Sequence, residues 1–250
     1  MTAFDLSGRT ALVTGGATGI GQAIAVGLAS LGADLVLMSE RDDLGESVAR
    51  AQRLGRAAEG RLLDLSKPDR IPDAIRSVLA AHRIDILVNA AGIIRRQPAA
   101  EFSDDNWRDV IEVNLTAAFT LSRLVAAPML ARRKGKIVNV ASLLSFQGGQ
   151  LVTSYAASKH GLVGLTKAFA NEFASQNVQV NALAPGYIAT RTTQALRDDP
   201  QRSAEILGRI PAGRWGTPED VWGAAAFLAC PASDYVTGHV LTVDGGWMSQ

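Results

Sequence analysis

Apolar, often β-branched runs alternate along the whole chain with stretches of helical composition. Several of these runs are continuous rather than interrupted by polar residues, which is typical of strands in a parallel sheet covered on both faces. We therefore predict strands at Thr10–Thr14, Asp34–Ser39, Ala58–Leu63, Ile84–Asn89, Lys136–Ala141, Val178–Leu183 and Val240–Val243. Helices are predicted between them, among others at Asp43–Leu54, Pro68–His82, Asp104–Ala131, Ser154–Ser175 and Pro218–Ala229. This alternation predicts an α/β fold, with one doubly wound parallel sheet of about seven strands, right-handed crossovers and helices on both faces.

Two local features refine this prediction. Pro128 lies in the long middle helix and should bend or end it, because proline removes a backbone donor and clashes with the preceding turn. Residues 184–214 form a long irregular stretch, and such a stretch inside a compact domain is usually a lid or a binding loop. A length of 250 residues favours a single domain over 1–250, with its substrate loop at about 184–214.

A glycine-rich segment joins the first predicted strand to the first predicted helix. Gly15, Gly19 and Gly21 lie in it, and glycines at such a turn let a pyrophosphate approach the main chain. The following helix N-terminus offers free N–H groups and a partial positive charge to the anion. The spacing is Gly-x-x-x-Gly-x-Gly rather than the common Gly-x-Gly-x-x-Gly fingerprint, so the segment alone is a weak indication of a nucleotide site.

Tyr155 and Lys159 stand four positions apart in a predicted helix, and they therefore lie on one face of it. An ammonium group beside a phenol favours the phenolate, so we expect Lys159 to lower the pKa of Tyr155 toward neutrality. A phenol of this kind is a usable general acid or base. Taken alone, the pair also occurs by chance on many helices.

With these motifs in place, the chain resembles the short-chain dehydrogenase/reductase family from about Leu6 to Gly246. The matching motifs appear in the family's order: Thr14–Gly21, Asp64, Asn89–Gly92, Asn114, Ser142, Tyr155 with Lys159, and Pro185-Gly186. One departure is that Ala90 stands where the family more often has a second asparagine, a tolerated variant.

The resemblance implies a Rossmann-type fold and hydride transfer between a nicotinamide cofactor and a substrate alcohol or ketone. Tyr155 would exchange a proton with the substrate oxygen, and Lys159 would lower the tyrosine pKa and hold the nicotinamide ribose. Ser142 would hydrogen-bond the substrate oxygen, although a lone serine there is more often a cap. Asn114 would connect Lys159 to solvent through water, which would explain a polar residue within a helix.

The resemblance also implies which residues bind the cofactor at the carboxyl ends of the strands. They are Gly15, Thr18, Gly19, Ile20, Gly21, Ser39, Glu40, Arg41, Asp64, Leu65, Asn89, Ala90, Gly92, Tyr155, Lys159, Pro185, Gly186, Ile188 and Thr190. For Asp64, a hydrogen bond to the adenine and an ordinary turn or helix cap are both open readings.

The choice between NAD and NADP depends on the end of the second strand. An acidic side chain near the ribose binds the 2′-hydroxyl and repels a 2′-phosphate, whereas a basic one does the reverse. Glu40 therefore favours NAD, while Ser39 with Arg41 leaves NADP possible.

Segments in the predicted substrate loops resemble a subgroup of the family that acts on deoxy sugar acids, the 2-dehydro-3-deoxy-D-gluconate 5-dehydrogenases or 2-deoxy-D-gluconate 3-dehydrogenases. The segments are Gly92–Arg96, Leu144–Gly149, Ala184–Thr190 and Arg209–Gly216. A small anionic, polyhydroxylated substrate needs a carboxylate partner and amide groups. Besides Ser142 and Tyr155, the candidate substrate-binding residues are Gln147, Arg95, Arg96, Arg191 and Arg214; any single arginine is more often a solvated or interface charge.

Two alternatives are a reductase of 3-oxoacyl thioesters on an acyl-carrier protein, which would favour NADPH, and a non-catalytic dinucleotide-binding protein. The non-catalytic reading expects a degraded site, yet Ser142, Tyr155 and Lys159 are all present.

The amino-acid composition indicates which classes of binding partner and which kinds of site are not expected. Lys and Arg total 25 against 24 Asp and Glu, which gives no reason to expect nucleic acid or a membrane surface as a partner. The chain has 1 cysteine and 3 histidines, so we expect no internal disulfide, no metal site and a reducing, cytoplasmic compartment. No apolar stretch is expected to approach membrane-spanning length. The family resemblance further implies a homotetramer, for which Ala156, Ala157, Gly161, Gly164 and Ala168 would allow close subunit contact.

Overall fold

The computed structural model describes residues 3–250 and contains a seven-stranded parallel sheet. Its strands are β1 (Thr10–Thr14), β2 (Asp34–Ser39), β3 (Ala58–Leu62), β4 (Ile86–Asn89), β5 (Gly135–Val140), β6 (Val178–Pro185) and β7 (Val240–Val243). The strand order is β3-β2-β1-β4-β5-β6-β7, and every neighbouring pair is parallel. The predicted α/β fold is confirmed.

The helices between the strands pack on both faces of this sheet. They are α1 (Gly19–Ser30), α2 (Gly45–Arg53), α3 (Ile71–Ala81), α4 (Asp104–Ile111), α5 (Ala117–Ala131), α6 (Thr153–Phe173), α7 (Gln194–Arg197), α8 (Pro200–Leu207) and α9 (Glu219–Ala229). One apolar cluster joins one sheet face to α1, α2 and α9, and a second cluster joins the other face to α3, α5 and α6. Burial on both faces explains why the strands read as continuous apolar runs.

One of the two predictions about local structure is wrong. Helix α5 does not end at Pro128 itself but three residues later, at Ala131, which is the predicted end of the helical stretch. The expected bend at Pro128 stays a prediction. By contrast, the stretch 184–214 is not irregular throughout, as was predicted. It contains a 3-10 turn at Arg191–Thr193 and the short helices α7 and α8, whose apolar sides pack in a small cluster over the site.

Residues 104–131 form one continuous helical stretch, in which a π-helical turn at Glu112–Thr116 separates α4 from α5. By length and composition alone this stretch is apolar enough to cross a membrane, so the expectation that no such stretch exists is wrong. Here the stretch packs within the fold, with Val110, Leu121 and Met129 fully buried. The core helix of a soluble protein passes the same test.

The order of the strands reverses between β1 and β4, which lie side by side although β2 and β3 intervene in the chain. In an open α/β sheet, ligands bind in the crevice outside the carboxyl ends of the strands at such a switch point. Thr14 and Asn89 are the last residues of the two strands and are paired in register. The glycine-rich turn after β1 and the segment 90–92 after β4 therefore leave the sheet next to each other.

Helices α1 and α9 approach closely because α1 carries a glycine at the crossing point. A Cβ atom at Gly27 would lie 2.5 Å from a ring carbon of Trp222. We expect Gly27→Val to displace this ring and to lower the free energy of unfolding by about 1–3 kcal/mol, measured by urea denaturation. Gly223→Ala is the matched control on α9, because a Cβ there meets nothing within 4 Å. Equal stability of the Gly27→Val variant and the parent would contradict this packing.

Candidate active site

A cavity of about 380 Å³ opens at the carboxyl ends of the strands. The predicted residues that line it are Gly15, Thr18, Gly19, Ile20, Gly21, Ser39, Glu40, Arg41, Asp64, Leu65, Ala90, Gly92, Ser142, Tyr155, Lys159, Pro185, Gly186, Ile188, Thr190 and Arg191. The fold thus brings together motifs that lie far apart in the chain.

The glycine-rich turn fits a pyrophosphate on two grounds. Gly15 has a φ of +66°, and a Cβ there would lie 2.9 Å from the Ala91 backbone nitrogen, so a side chain is excluded on both counts. A Cβ at Gly21 would lie 2.2 Å from the Gly15 carbonyl oxygen. The Thr18 side chain does not cap helix α1, so the first N–H groups of that helix are left to bind an anion.

The segment after β4 is fixed against the glycine-rich turn by Thr14. The Thr14 hydroxyl oxygen accepts hydrogen bonds from the backbone N–H groups of Ala90 and Ala91 at 3.1 and 3.2 Å. Because Thr14 immediately precedes Gly15, one residue holds the glycine-rich turn and the segment after β4 side by side.

Asn89 is not among the residues that line the cavity, and its contact with the cofactor stays a prediction. Its amide nitrogen donates to Ser122 Oγ at 3.0 Å and to Asn139 Oδ1 at 2.8 Å, behind the site. The Asn139 amide continues the network to Thr166 Oγ1 at 2.9 Å. A buried network of this kind ties β4, β5, α5 and α6 together, so it anchors the end of β4 from which the segment 90–92 leaves the sheet.

Asn114 lies in the π-helical turn, a feature that is frequent at functional sites. Its Oδ1 accepts from the Ile93 backbone N–H at 2.8 Å, and its Nδ2 donates to the Ile93 carbonyl at 3.0 Å and to Ser158 Oγ at 3.1 Å. Ser158 Oγ in turn donates to the Tyr155 carbonyl oxygen at 2.8 Å. Asn114 therefore joins the segment after β4 to the first turn of α6, which carries Tyr155.

Tyr155 and Lys159 lie in the first two turns of α6, as the four-residue spacing predicts. The Lys159 ammonium is buried, donates to the Val140 carbonyl at 2.7 Å, and lies 5.6 Å from the centre of the Tyr155 ring. A Cβ at Gly92 would lie 3.6 Å from Lys159 Nζ. The absence of a side chain at Gly92 therefore leaves one side of the ammonium open to the cavity.

The direction of the Tyr155 pKa corrects the sequence-based expectation. Burial raises the pKa of Tyr155 above its ordinary value, while the Ser142 hydroxyl and the Arg96 guanidinium act in the opposite direction. Lys159 Nζ faces the ring and the Val140 carbonyl, and burial of the phenol outweighs the groups that favour its ionised form. Burial also lowers the pKa of Lys159, to about 8, because removal from water disfavours a charged ammonium. The sequence shows that Tyr155 and Lys159 are close together, but it does not show that folding removes water from both groups.

Ser142 lies two residues after the end of β5 and is the N-cap of a short 3-10 turn, Leu143–Ser145. Its Oγ accepts from the Leu144 backbone N–H at 3.2 Å, so it does act as a cap. That contact uses a lone pair of Oγ and leaves the hydroxyl hydrogen to donate on the cavity side, where its bond to the Tyr155 hydroxyl acts to lower the pKa of Tyr155. The turn is held against α6 because Ser145 Oγ donates to the Lys159 carbonyl at 2.8 Å.

The far end of the cavity, after β2 and β3, carries both signs of charge. Glu40 and Arg41 form an ion pair at 3.2 Å in which both side chains are more than half exposed. Ser39 Oγ donates to Asp43 Oδ1 at 2.8 Å. Asp64 Oδ1 accepts from the Ser66 backbone and hydroxyl groups at 2.9 and 2.7 Å, which lowers the pKa of Asp64. Asp64 therefore both caps a turn and lines the cavity.

The four candidate arginines differ in whether a carboxylate already neutralises them. Arg214 makes two hydrogen bonds to Asp220, at 2.6 and 2.8 Å, and this pairing holds the pKa of Asp220 well below its usual range. Arg95 pairs with Asp109 at 3.3 Å on the surface. Of the four arginines only Arg191 lines the cavity; Arg95, Arg96 and Arg214 do not, and neither does Gln147.

Arg96 and Arg191 remain as candidates, since neither pairs with a carboxylate among residues 3–250. Arg191 lines the cavity. Arg96 is exposed, its guanidinium lies 3.5 Å from the Thr192 carbonyl oxygen, and its charge acts on the Tyr155 hydroxyl. Arg96 therefore faces the mouth of the site beside the substrate loop.

Gln147 is half-buried just beyond the Ser142 turn, and its Oε1 accepts from the indole Nε1 of Trp247 at 3.1 Å. Sequence analysis missed Trp247 because the contact joins residues 100 positions apart. It also missed Thr14 and Asp43 as site residues. Their positions directly before Gly15 and four residues after Ser39 were the available signals.

Comparison with known proteins agrees with this geometry. Residues 15–248 match the family model described as enoyl-(acyl carrier protein) reductase, which belongs to the short-chain dehydrogenases/reductases. The chain is 54% identical over 248 residues to 2-dehydro-3-deoxy-D-gluconate 5-dehydrogenase of Bacillus subtilis, covering 99% of this chain and 98% of the relative.

Two solved structures are also similar. One is a proposed NAD(P)-dependent gluconate 5-dehydrogenase from Beutenbergia cavernae with bound NADP (TM-score 0.98, 51% identity, 100% of both chains). The other is a gluconate 5-dehydrogenase from Burkholderia cenocepacia in complex with NADP and tartrate (TM-score 0.95, 40% identity, 99% of this chain and 98% of that one). The full-length match, the seven-stranded sheet and the convergence of the motifs in one cavity establish that the chain belongs to the short-chain dehydrogenase/reductase family of NAD(P)-dependent oxidoreductases.

Proposed function

We propose that the protein interconverts a secondary alcohol and a ketone of a deoxy sugar acid, of the 2-dehydro-3-deoxy-D-gluconate or 2-deoxy-D-gluconate type, with a nicotinamide dinucleotide. The observation that carries this proposal is that Ser142, Tyr155 and Lys159 line one cavity whose mouth carries Arg96, a cation without a carboxylate partner among residues 3–250. The sugar-acid dehydrogenases among its relatives support the substrate class.

The reaction uses each of these side chains in a distinct way. The bound dinucleotide supplies the hydride acceptor or donor, and Gly15, Gly19 and Gly21 would hold its pyrophosphate. In the oxidative direction Tyr155 accepts the hydroxyl proton as the carbonyl forms; in the reductive direction it returns that proton. Ser142 donates to the same oxygen and stabilises the charge that develops on it.

Lys159 and Asn114 act beside the reacting atoms. The Lys159 ammonium, open to the cavity next to Gly92, would hold the ribose and stabilise an ionised Tyr155. Asn114 holds the Ile93 backbone and Ser158, which fixes the position of Tyr155. The proposed proton path from Lys159 through Asn114 to solvent rests on these positions and on the family resemblance.

For the cofactor, we propose that the carboxylates near the ribose end favour NAD and that NADP is also accepted. Glu40 and Asp43 line this end and would repel a 2′-phosphate, whereas the Arg41 guanidinium would attract one. The solved relatives bind NADP. The ratio of kcat/KM for the two dinucleotides decides between them.

Reduction of 3-oxoacyl thioesters is the second candidate, favoured by the acyl-carrier description of the family model. The two activities are separated by steady-state rates of the purified protein with both dinucleotides. The substrates are 2-dehydro-3-deoxy-D-gluconate, 2-deoxy-D-gluconate, D-gluconate and an acetoacetyl thioester. The sugar-acid proposal expects the highest kcat/KM on a sugar acid; a preference for the thioester would overturn it.

We also propose a cytoplasmic homotetramer with residues 184–214 as its substrate loop. Trp107 and Phe119 are exposed apolar side chains at 41% and 40%, and Ala157, Gly164 and Ala168 are exposed on α6, which would suit a helical interface. Cys230 is buried and free, as in a reducing compartment. Sedimentation equilibrium that gives the monomer mass would contradict the tetramer.

Removal of the Tyr155 hydroxyl tests the proposed chemistry. We expect Tyr155→Phe to reduce kcat by at least about 100-fold in both directions, because a positioned general acid or base contributes roughly 10²–10⁴. Dinucleotide affinity, measured by calorimetry, should change little, since the ring and Lys159 remain. A variant that turns over as fast as the parent would contradict the proposed role.

The pH dependence should differ between the two directions. Oxidation needs the ionised phenol, and burial raises the pKa of Tyr155, so log kcat/KM for oxidation should rise with pH between roughly 6 and 8. The rise should flatten above about 8, where Lys159 loses its charge. Reduction uses the protonated phenol, which is abundant at neutral pH, and should stay nearly constant from roughly 6 to 8. An oxidation rate independent of pH would contradict this assignment.

Arg96 should bind the substrate carboxylate. We expect Arg96→Gln to raise KM for the sugar acid about 10- to 100-fold, because the variant loses one charge-assisted hydrogen bond to the carboxylate. Arg95→Gln is the matched control, because the neighbouring Arg95 is paired with Asp109 at 3.3 Å. Equal increases of KM in the two variants would show that general surface charge, not Arg96, attracts the anion.

A further inference from the structure

We propose that Trp247 is a positioning residue of the substrate site, which fixes the Gln147 amide so that this side chain offers only its NH₂ group to the substrate. The inference rests on the proposed function and assigns a donor to the site that recognises the sugar acid.

The direction of the amide follows from the chemistry of the contact. The indole Nε1 of Trp247 lies 3.1 Å from Gln147 Oε1. An indole N–H can donate but cannot accept, so only the carbonyl end of the amide can face it. Gln147 Nε2 points the other way, and it donates to no group within residues 3–250.

The indole is held independently of Gln147. Trp247 is only 6% exposed, the Arg209 guanidinium lies 4.0 Å from its ring centre, and the Tyr187 ring centre lies 4.7 Å away. The Asp244 carboxylate accepts from the backbone N–H groups of Gly246 and Met248 at 3.0 and 2.9 Å, which fixes the turn that carries the indole. Because packing determines the direction of the indole N–H, the amide must follow it.

The amide belongs to the same turn as the proposed catalytic serine. Gln147 N donates to the Leu143 carbonyl at 3.2 Å, and Ser142 Oγ accepts from Leu144 N in that turn. On the other side, Tyr187 and Arg209 come from the substrate loop. Trp247 therefore lies between the Ser142 turn and the substrate loop, where a change in its contacts acts on substrate binding.

A fixed donor suits an anionic substrate. A carboxylate or a carbonyl oxygen accepts from an NH₂ group, whereas the amide carbonyl would place a lone pair against it. Fixing the amide excludes the repulsive orientation before the substrate arrives, so less ordering is needed on binding.

Trp247→Phe removes the N–H donor and keeps an aromatic ring in the cluster. We expect KM for the sugar acid to rise about 3- to 10-fold, as for one neutral hydrogen bond, with kcat within about twofold and KM for the dinucleotide unchanged. Trp215→Phe is the matched control. Trp215 packs edge-on against Tyr187 at 5.6 Å, and its buried Nε1 has no partner within residues 3–250. The KM of the Trp215→Phe variant for the sugar acid should therefore equal that of the parent.

A double-mutant cycle separates positioning from general loss of structure. In a Gln147→Ala background, Trp247→Phe should produce no further rise in KM, because the amide that it orients is gone. The same rise in both backgrounds would overturn the proposal.

Gln147→Glu supplies a second, independent readout. One carboxylate oxygen can still accept from Trp247, and the other then faces the anionic substrate, so KM should rise more than in Gln147→Ala. A Gln147→Glu enzyme that binds the acid as well as the parent would overturn the assignment of the amide. A parent enzyme without activity on any sugar acid would instead overturn the proposed function itself.

Discussion

The buried ammonium of Lys159 is the constraint on which the site depends. A charge removed from water is tolerated only with a hydrogen-bonding partner, and here the partner is the carbonyl of Val140, the last residue of β5. That contact fixes α6 relative to the end of the sheet. Because Ser142 follows two residues after Val140 and Tyr155 lies one turn before Lys159, the same contact brings the serine and the tyrosine into one cavity.

The buried asparagine side chains behind the cavity position the loops of the site more than they raise the stability of the fold. Replacement of a buried polar network by apolar residues is often neutral or stabilising, yet this chain keeps Asn89 and Asn139 between the central strands and Asn114 in a π-helical turn. Asn89 Oδ1 even lacks a partner within residues 3–250. Buried asparagines of this kind hold the loops at the ends of the strands in one position, because their hydrogen-bond networks have few alternative arrangements.

The sequence predicted the fold well because the strands are buried on both faces. The bounds of β1, β2 and β7 were predicted to the residue. β4 was predicted to begin at Ile84 but begins at Ile86, although the Asp85 backbone still donates to the Thr10 carbonyl and accepts from the Lys136 N–H. The end of α5 at Ala131, three residues after Pro128, was also predicted to the residue.

The site was predictable to the extent that its residues follow strands or share a helix face. The glycine-rich turn, Ser142, Tyr155 and Lys159 are found by such rules, and the cavity brings them together. The sign of the Tyr155 pKa shift was not predictable, because it depends on how much water the folded chain excludes. The spacing of two residues reports their proximity and not their dielectric surroundings.

Selection among the four arginines shows the same limit and explains how a nearly neutral chain can recognise an anion. Arg95 and Arg214 are neutralised by Asp109 and Asp220, 14 and 6 residues away, and only the fold shows these pairings. An ion-paired arginine offers little net field to a ligand, because its carboxylate would repel the substrate almost as strongly as the guanidinium attracts it. Arg96 lacks such a partner among residues 3–250, and its guanidinium acts to lower the pKa of Tyr155. Specificity for a sugar acid over a neutral sugar then depends less on how many arginines surround the loop than on which of them the fold leaves uncompensated.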